Sequence, residues 1–388
     1  MRLETIKNLI LRELDIWKKR PIYVIVPLAI MAFCSVFYLT FLGDGLPSDL
    51  PIGVVDSDNS SVSRNFVRQL DATQLGKVVR YDSFQEARND MQTGKLTSVC
   101  LIPSGFNSDL QANRQPKMTI YINGLYFVGG ALSWQDLLTM INLTSGAVQK
   151  QVLEAKGVPA SQMQGMLRPI DIDLHKIGNP LTSYNECLSS NMLPGTLQMV
   201  IILILIYALG TELKYGTSRE LMEKSDGSII TALIGKLVPY TVFFTLLGLL
   251  VEVLLYSWMH FPIAGSMGNM MLDMLLLVFA SEACAVFIIS LIPICRFALS
   301  LGAIFSVLSL SMTGFTLPVE VMPRILQGFP FMFPLRHYYL FEVQEVMFGS
   351  GFAGWWQEAL WMLAFMIPPF VLLPRLKSAY IKLDYPKN

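Results

Sequence analysis

Six apolar runs govern what this chain can fold into. The first, residues 22–42, reads IYVIVPLAIMAFCSVFYLTFL and holds no charged residue. Further runs follow at about 192–210, 237–259, 271–294, 297–317 and 356–373. Each is long enough, as a helix, to cross a hydrocarbon layer about 30 Å thick. In lipid the backbone must satisfy its own hydrogen bonds, so such runs read as membrane-spanning helices. The composition agrees: 53% of the 388 residues are hydrophobic and 15% charged, against about 25% charged in a soluble domain. The formal net charge is zero, which leaves no electrostatic footprint for nucleic acid. About twenty residues precede the first run and no small-residue cleavage site follows it, so it reads as a retained span rather than a signal peptide.

Lysine and arginine set the expected orientation. Arg2, Lys7, Arg12, Lys18, Lys19 and Arg20 precede the first run. Lys214, Arg219, Lys224 and Lys236 follow the second, Arg296 separates the fourth from the fifth, and Arg375, Lys377, Lys382 and Lys387 follow the last. The connection at 260–270 has no base, and 318–355 has only Arg324 and Arg336. With six spans the basic segments share one side, the cytoplasm. The expectation is a multi-pass protein of the inner (plasma) membrane with both termini cytoplasmic and the 43–190 insertion periplasmic or extracellular. The expected divisions are a cytoplasmic amphipathic helix over 1–21, the first span at 22–42, an extracytoplasmic domain over 43–190, a five-helix region over 191–374 and a cytoplasmic tail over 375–388.

In residues 2–20, Leu3, Ile6, Ile10, Leu14 and Trp17 recur at three- and four-residue steps, the period of an interfacial amphipathic helix that Pro21 ends. The insertion alternates strand and helix patterns. PIGVVD, GKVVRYDS, LTSVCLIP and PKMTIYING read as strands, and the segments between them as helices. A long helix is expected over about 129–156, and RPIDIDLHKIG reads as a late edge strand. This predicts a small α/β domain. Asp56 and Asp58 follow a strand, where such residues shape the turn and cap the next helix. His175 has no sequence partner, and the five cysteines form no metal spacing. A Cys100–Cys187 disulfide is left open.

Glu252 and Glu282 lie inside apolar runs, where a carboxyl either couples to transport or makes an interhelical hydrogen bond. Asp273, nearer a run's end, reads as interfacial. Residues 318–355 are apolar but broken by Pro and Gly, and the expectation is short re-entrant half-helices on the outer side.

Between the second and third runs stands TELKYGTSRELMEKSDGS, residues 211–228. No P-loop occurs here or elsewhere: TGKL at 93–96 and IGKL at 234–237 lack the first glycine and the hydroxyl. The stretch reads instead as a short surface helix. Thr217 would be its cap with Glu220 at the capping-box position, Leu221 and Met222 would be apolar, and Arg219, Glu220, Glu223 and Lys224 polar.

The segment 214–240 resembles the stretch after the second span of ABC type-2 (ABC-2) transporter permeases, a pattern close to E-[KR]-E-x-G-T followed by G-K-x-x-P-Y. Glu212, Gly216, Thr217, Leu221, Gly235, Lys236, Pro239 and Tyr240 match it. Two places depart: the glutamate after Gly-Thr is displaced to Glu220, and Ser225-Asp226 replaces Ser/Thr-Pro. REL at 12–14 with KKRP at 18–21 is similar to the family's leading helix, and Pro318, Met322, Pro323, Pro334 and Tyr338 fall in the order of its outer segment. The resemblance implies an α-helical polytopic fold with six transmembrane helices and an inserted α/β extracytoplasmic domain, as in exporters with long insertions.

It also implies a permease rather than an enzyme. Two permeases, identical or sister subunits, would form the path. Separate ATPase subunits holding ATP and Mg would dock on the coupling loop 211–236 through Gly216, Thr217, Arg219, Glu220, Leu221, Met222 and Glu223, and this chain would bind no cofactor. The cargo would be a drug, lipid or other amphiphile, and the outer domain leaves room for a periplasmic adaptor and an outer-membrane channel. Two other readings remain open: a proton-coupled secondary transporter using Glu252 or Glu282, and a membrane sensor with an extracytoplasmic ligand-binding domain.

Overall fold

The computed structural model describes residues 2–41, 43, 45–112, 114–167, 173, 175, 177–179, 182–382 and 385. Two helices open the chain, α1 (Arg2–Lys19) and α2 (Ile22–Phe41). The mixed region follows as β1 (Leu50–Asp56), α3 (Ser61–Asp71), β2 (Gly76–Arg80), α4 (Phe84–Gln92), β3 (Ser98–Ile102), α5 (Phe106–Gln111), β4 (Thr119–Ile122), α6 (Phe127–Ala155) and α7 (Ala160–Leu167). The remainder is helical: α8 (Tyr184–Lys214), α9 (Ser218–Lys224), α10 (Ile229–Glu252), α11 (Met267–Leu291), α12 (Cys295–Ser311), α13 (Pro334–Phe348), α14 (Phe352–Ala364) and α15 (Ile367–Lys382). Contacts divide the chain into two compact units, Asp44–His175 and Met1–Gly43 with Lys176–Asn388.

The Asp44–His175 unit is built on a four-stranded sheet of order β2-β1-β3-β4. β1 pairs in parallel with β2 and β3, and β4 runs antiparallel to β3. Successive strand residues point to opposite faces. Ile52, Val54, Cys100 and Ile102 therefore pack with Phe66, Leu70 and Leu137 of α3 and α6, while Val55 and Val99 pack with Ala87 of α4. Asp56 accepts hydrogen bonds from the amides of Asp58 and Asn59 (both 3.0 Å) and from the Ser63 hydroxyl (2.7 Å), so it holds the turn into α3. The Cys100 thiol is buried in this core and burial pushes its pKa up to about 12. Cys100 and Cys187 are both free thiols. His175 is exposed beside Asp173 at 3.0 Å. Most of the strand expected at 168–178 lies outside the described residues.

In the helical unit five helices are long and apolar enough to cross a membrane: Ile22–Phe41, Tyr184–Lys214, Ile229–Trp258, Met267–Leu291 and Phe352–Lys382. The expectation gave six spans; the remaining one, α12, is apolar but has 17 residues. α8 and α11 form the centre of the bundle, and α8 packs against α2, α11 and α12. α2 is apolar throughout yet buries only Tyr23, Pro27 and Met31, the pattern of a helix on the lipid side. α10 ends in a π-helical turn, Val253–Trp258, directly after Glu252.

Two details differ from expectation. The last span, expected at 356–373, starts at Phe352, breaks between α14 and α15 where Pro368 and Pro369 open the new helix, and runs on to Lys382. Arg375 and Lys377 are therefore helical rather than part of a loose tail. The inward face of α1 is also not the predicted apolar stripe. Leu3 is 87% exposed, whereas Leu9 and Glu13 are buried. α1 packs along α10, and charge pairing sets its rotation. The close approach depends on Gly235, because a Cβ there would lie 2.5 Å from the Leu9 Cβ.

Between α12 and α13 the chain forms 3-10 turns at Val319–Val321 and Pro330–Met332. Pro318 stands at the start of the first turn, Met322 caps its end and Pro323 follows, exposed. Pro334 is the first residue of α13 and is buried, where its missing amide hydrogen costs nothing.

Candidate functional site

Three helices and the residue that precedes a short surface helix meet in a buried ionic cluster. α1 brings Arg12 and Glu13, α8 brings Glu212 in its last turn, and α10 brings Lys236 and Tyr240 one turn apart. The Arg12 guanidinium donates to both Glu212 oxygens, Nη1 to Oε1 at 2.9 Å and Nη2 to Oε2 at 3.0 Å. Lys236 Nζ donates to Glu212 Oε1 at 2.9 Å and to Glu13 Oε2 at 2.7 Å. Tyr240 donates to Glu13 Oε1 at 2.9 Å. Thr217, just before α9, donates its hydroxyl to Glu212 Oε2. Both oxygens of each carboxylate are therefore engaged.

The side chains of Glu13, Glu212 and Lys236 are 1%, 3% and 3% exposed. Two acids and two bases make the cluster neutral, which is what allows it to be buried. Burial alone would lower the pKa of the Arg12 guanidinium, but the hydrogen bond and charge of Glu212 outweigh it and raise the group above its usual value. Glu212 sits at the carbonyl end of α8, where the helix dipole disfavours an anion, so its partners, not its helix, hold it there. Trp17 closes the apolar side, its ring edge-on to Tyr240 with centroids 4.9 Å apart.

The expected docking residues divide into two sets. Leu221 and Met222 are buried inside this chain, where α9 packs against α15, α10 and α1. Arg219, Glu220 and Glu223 face outward with Gly216. Thr217 stands at the N-cap of α9, but its side chain makes no capping bond; Glu212 takes the hydroxyl instead, so the capping box expected with Glu220 does not form. Glu220 pairs with Lys224 at 2.6 Å, and that hydrogen bond lowers its pKa. Ser218 Oγ donates to the Tyr380 carbonyl at 2.9 Å and Arg219 Nε to that of Ile381 at 3.1 Å, tying α9 to α15. Gly216 has a φ of +71° and open space around its Cα, a left-handed position that favours glycine.

Glu252 and Tyr338, singled out separately in sequence, meet: Tyr338 donates to Glu252 Oε1 at 2.8 Å. Tyr256, from the π-helical turn, donates to Glu342 of α13 at 2.8 Å. Asp273, near the start of α11, is fully buried against the protein, with no hydrogen bond to either carboxylate oxygen among the described residues. Glu282 accepts from Thr241 at 2.8 Å. Sequence reasoning counted Arg12 only toward the orientation and, with Glu13, as part of a resembling stretch, and it passed over Glu342. Glu13, three residues after Ile10 and four before Trp17, puts a charge on the flank of the apolar stripe of α1, and that was the available signal.

Nothing here is a catalytic constellation. The arrangement joins helices end to end, and among the described residues no group of three or more His, Cys, Asp or Glu could hold a metal ion. No curated protein matches the chain. The sequence profile of a family described as ABC-2 family transporter protein matches residues 21–373. That span takes in four of the five candidate membrane helices whole, most of the fifth and most of the cluster, and on it the chain belongs to the ABC-2 family as a multi-pass, non-catalytic transporter permease.

Proposed function

We propose that this permease is the membrane half of an ATP-driven exporter and that α9 is the element through which separate ATPase subunits move it. The observation that carries the reading is the two-sidedness of α9. Leu221 and Met222 anchor it inward, while Arg219, Glu220, Glu223 and Lys224 present charge outward. A seven-residue helix is too short to hold its shape alone, so any load on its outer face passes into the helices beneath. ABC permeases generally work with ATPase subunits, and here those subunits would supply ATP and Mg while a second permease, a copy or a sister chain, would complete the path.

Six crossings fit the packing best. The Arg12–Glu212 and Ser218–Tyr380 contacts, with the Cys295 amide donating to the Tyr385 hydroxyl at 3.1 Å, gather the N-terminal helix, α9, the α11–α12 turn and the end of α15 at one end of the helical unit. That grouping supports α12 as a sixth crossing. At about 1.5 Å per residue its 17 residues span roughly 25 Å, at the lower limit for a crossing helix. By the distribution of Lys and Arg this end is cytoplasmic, and the α/β region lies outside the inner membrane, open to a periplasmic adaptor and outer-membrane channel.

Charge reversal on the exposed face tests the docking role. Glu223→Arg is expected to leave the melting temperature unchanged while lowering co-purification of the ATPase subunits and ATP-dependent export. Normal co-purification and export in that variant would refute α9 as the docking element.

A further inference from the structure

The helical unit holds a cavity of about 300 Å3 between α10, α11 and the α14–α15 segment, within the size range of small-molecule sites. Its floor includes Leu233, Val286 and Leu373, all buried, and its mouth carries Ile230, Ile234 and Phe370, all exposed. The wall is apolar except for Thr241 and Glu282. Glu282 is 5% exposed; Thr241 occupies its Oε2 at 2.8 Å, and its Oε1 is buried with no hydrogen-bond partner among the described residues.

Protonation does not remove that vacancy. A proton on Oε2 would be donated to Thr241, whose own hydroxyl can turn to the Leu237 carbonyl at 3.1 Å. Oε1 would still be an acceptor without a donor, and a buried acceptor left unmade is costly. In both of these states the missing group carries a donor, and the walls require the rest of it to be apolar. A cation satisfies Oε1 more strongly than a neutral donor does, and the rings of Phe279 and Phe370 line the same cavity and would favour positive charge.

We infer that this cavity binds a lipophilic amine, its ammonium N–H donating to Glu282 Oε1 and its apolar body lying against Leu233, Leu237, Val286 and Phe370. The site deepens the export reading and rests on it for the statement that such amines are cargo; binding itself does not depend on transport. The cavity opens beside the first turns of α10, near α9, so an amine would enter at the end where the drive is applied.

The test uses the full chain with its ATPase partners in phosphatidylcholine nanodiscs, whose headgroup has no N–H donor. A dodecylamine carrying a mid-chain photoreactive diazirine is the probe, and labelled residues are mapped by mass spectrometry. Labelling is expected on α10, α11 and α15 around the cavity. Dodecylamine should displace the probe at about one-tenth or less of the concentration needed for dodecanol or dodecanoate. Glu282→Gln should raise the dodecylamine concentration for half-displacement about tenfold or more and leave dodecanol unchanged. Ile234→Trp, which narrows the mouth without touching Glu282, should reduce labelling by the amine probe.

Equal displacement by all three competitors, or no effect of Glu282→Gln, would make the cavity an acyl-chain groove and overturn the inference. ATPase co-purification is read in the same samples. Its absence from the unmodified protein would overturn the transport reading alone, and its presence without amine selectivity would overturn the amine site alone.

Discussion

Replacing Lys236 by methionine keeps the length of the side chain and removes its charge, which makes it the sharpest probe of the ionic cluster. The unmodified cluster balances Arg12 and Lys236 against Glu13 and Glu212. Lys236→Met leaves one uncompensated negative charge. Glu212 keeps Arg12 and Thr217, so the deficit falls on Glu13, whose remaining partner is Tyr240. Breaking a buried pair at one end costs about 3–5 kcal/mol, and the 1% exposure of Glu13 places it among buried groups. Glu13→Gln alone leaves Lys236 bonded to Glu212 and should cost less, about 1.5–3 kcal/mol, the worth of a charged hydrogen bond. The double variant is neutral again, with the bidentate Arg12–Glu212 pair intact. Its loss should therefore be smaller than the sum of the single losses by about 2 kcal/mol or more. The assay is thermal unfolding of purified protein in one detergent, with single and double variants compared as a cycle. Additive losses, or a Lys236→Met protein that melts with the wild type, would show that the four charges do not act as a unit.

Other outcomes follow from particular contacts. Gly235→Ala forces a Cβ to within 2.5 Å of the Leu9 Cβ and should cost about 1–3 kcal/mol, read as faster proteolysis within α1; unchanged protection would mean the helices separate freely. With its pKa near 12, Cys100 is about one part in ten thousand thiolate at pH 8, so a thiol reagent should reach it only after denaturation; rapid reaction in the folded protein would contradict the buried position. For sidedness, a cysteine at exposed Asp226, with the native cysteines removed, should resist an impermeant maleimide in intact cells and react in inside-out vesicles. Labelling in intact cells would reverse the proposed orientation and detach α9 from any cytoplasmic engine. Ser225 would not serve, because it is fully buried with its hydroxyl on the Met222 carbonyl at 2.9 Å.

Five of the six expected spans and the α/β alternation were legible because each rests on local periodicity. Apolar runs mark helices in lipid, and strand-length runs separated by cap residues mark alternating strands and helices, while the sheet order β2-β1-β3-β4 came from the structure. Motif spacing also placed Glu212, Thr217, Lys236 and Tyr240 in a resembling family. What it lacked was direction. Hydrophobic period assigns α1 an inward stripe through Leu3 and Leu14, whereas a neutral set of ion pairs rotates the helix so that Glu13 points in. Pairings separated by 200 and 223 residues leave no local trace. Leu221 and Met222 posed the opposite difficulty. An apolar side on a short surface helix is equally suited to a partner or to its own chain, and here its own chain covers it.

That choice bears on how force would travel under the proposed reading. A helix clamped only by its partner would yield when pushed, because left-handed turns flank α9: Gly216 on one side at φ +71°, Asp226 and Gly227 on the other at +56° and +70°. Three anchors oppose such yielding. Leu221 and Met222 fix the inner face, Ser218 and Arg219 bond to the last turn of α15, and Thr217 bonds to Glu212. Glu212 in turn holds α1 through Arg12 and α10 through Lys236. A displacement of α9 therefore cannot be taken up by one helix; it must tilt α1, α8, α10 and α15 together or break buried charges at several kcal/mol. The tilt would reach the cavity beside Glu282 directly, since α10 and α15 form two of its walls, so under the proposed reading the movement that answers the ATPase would reshape that space.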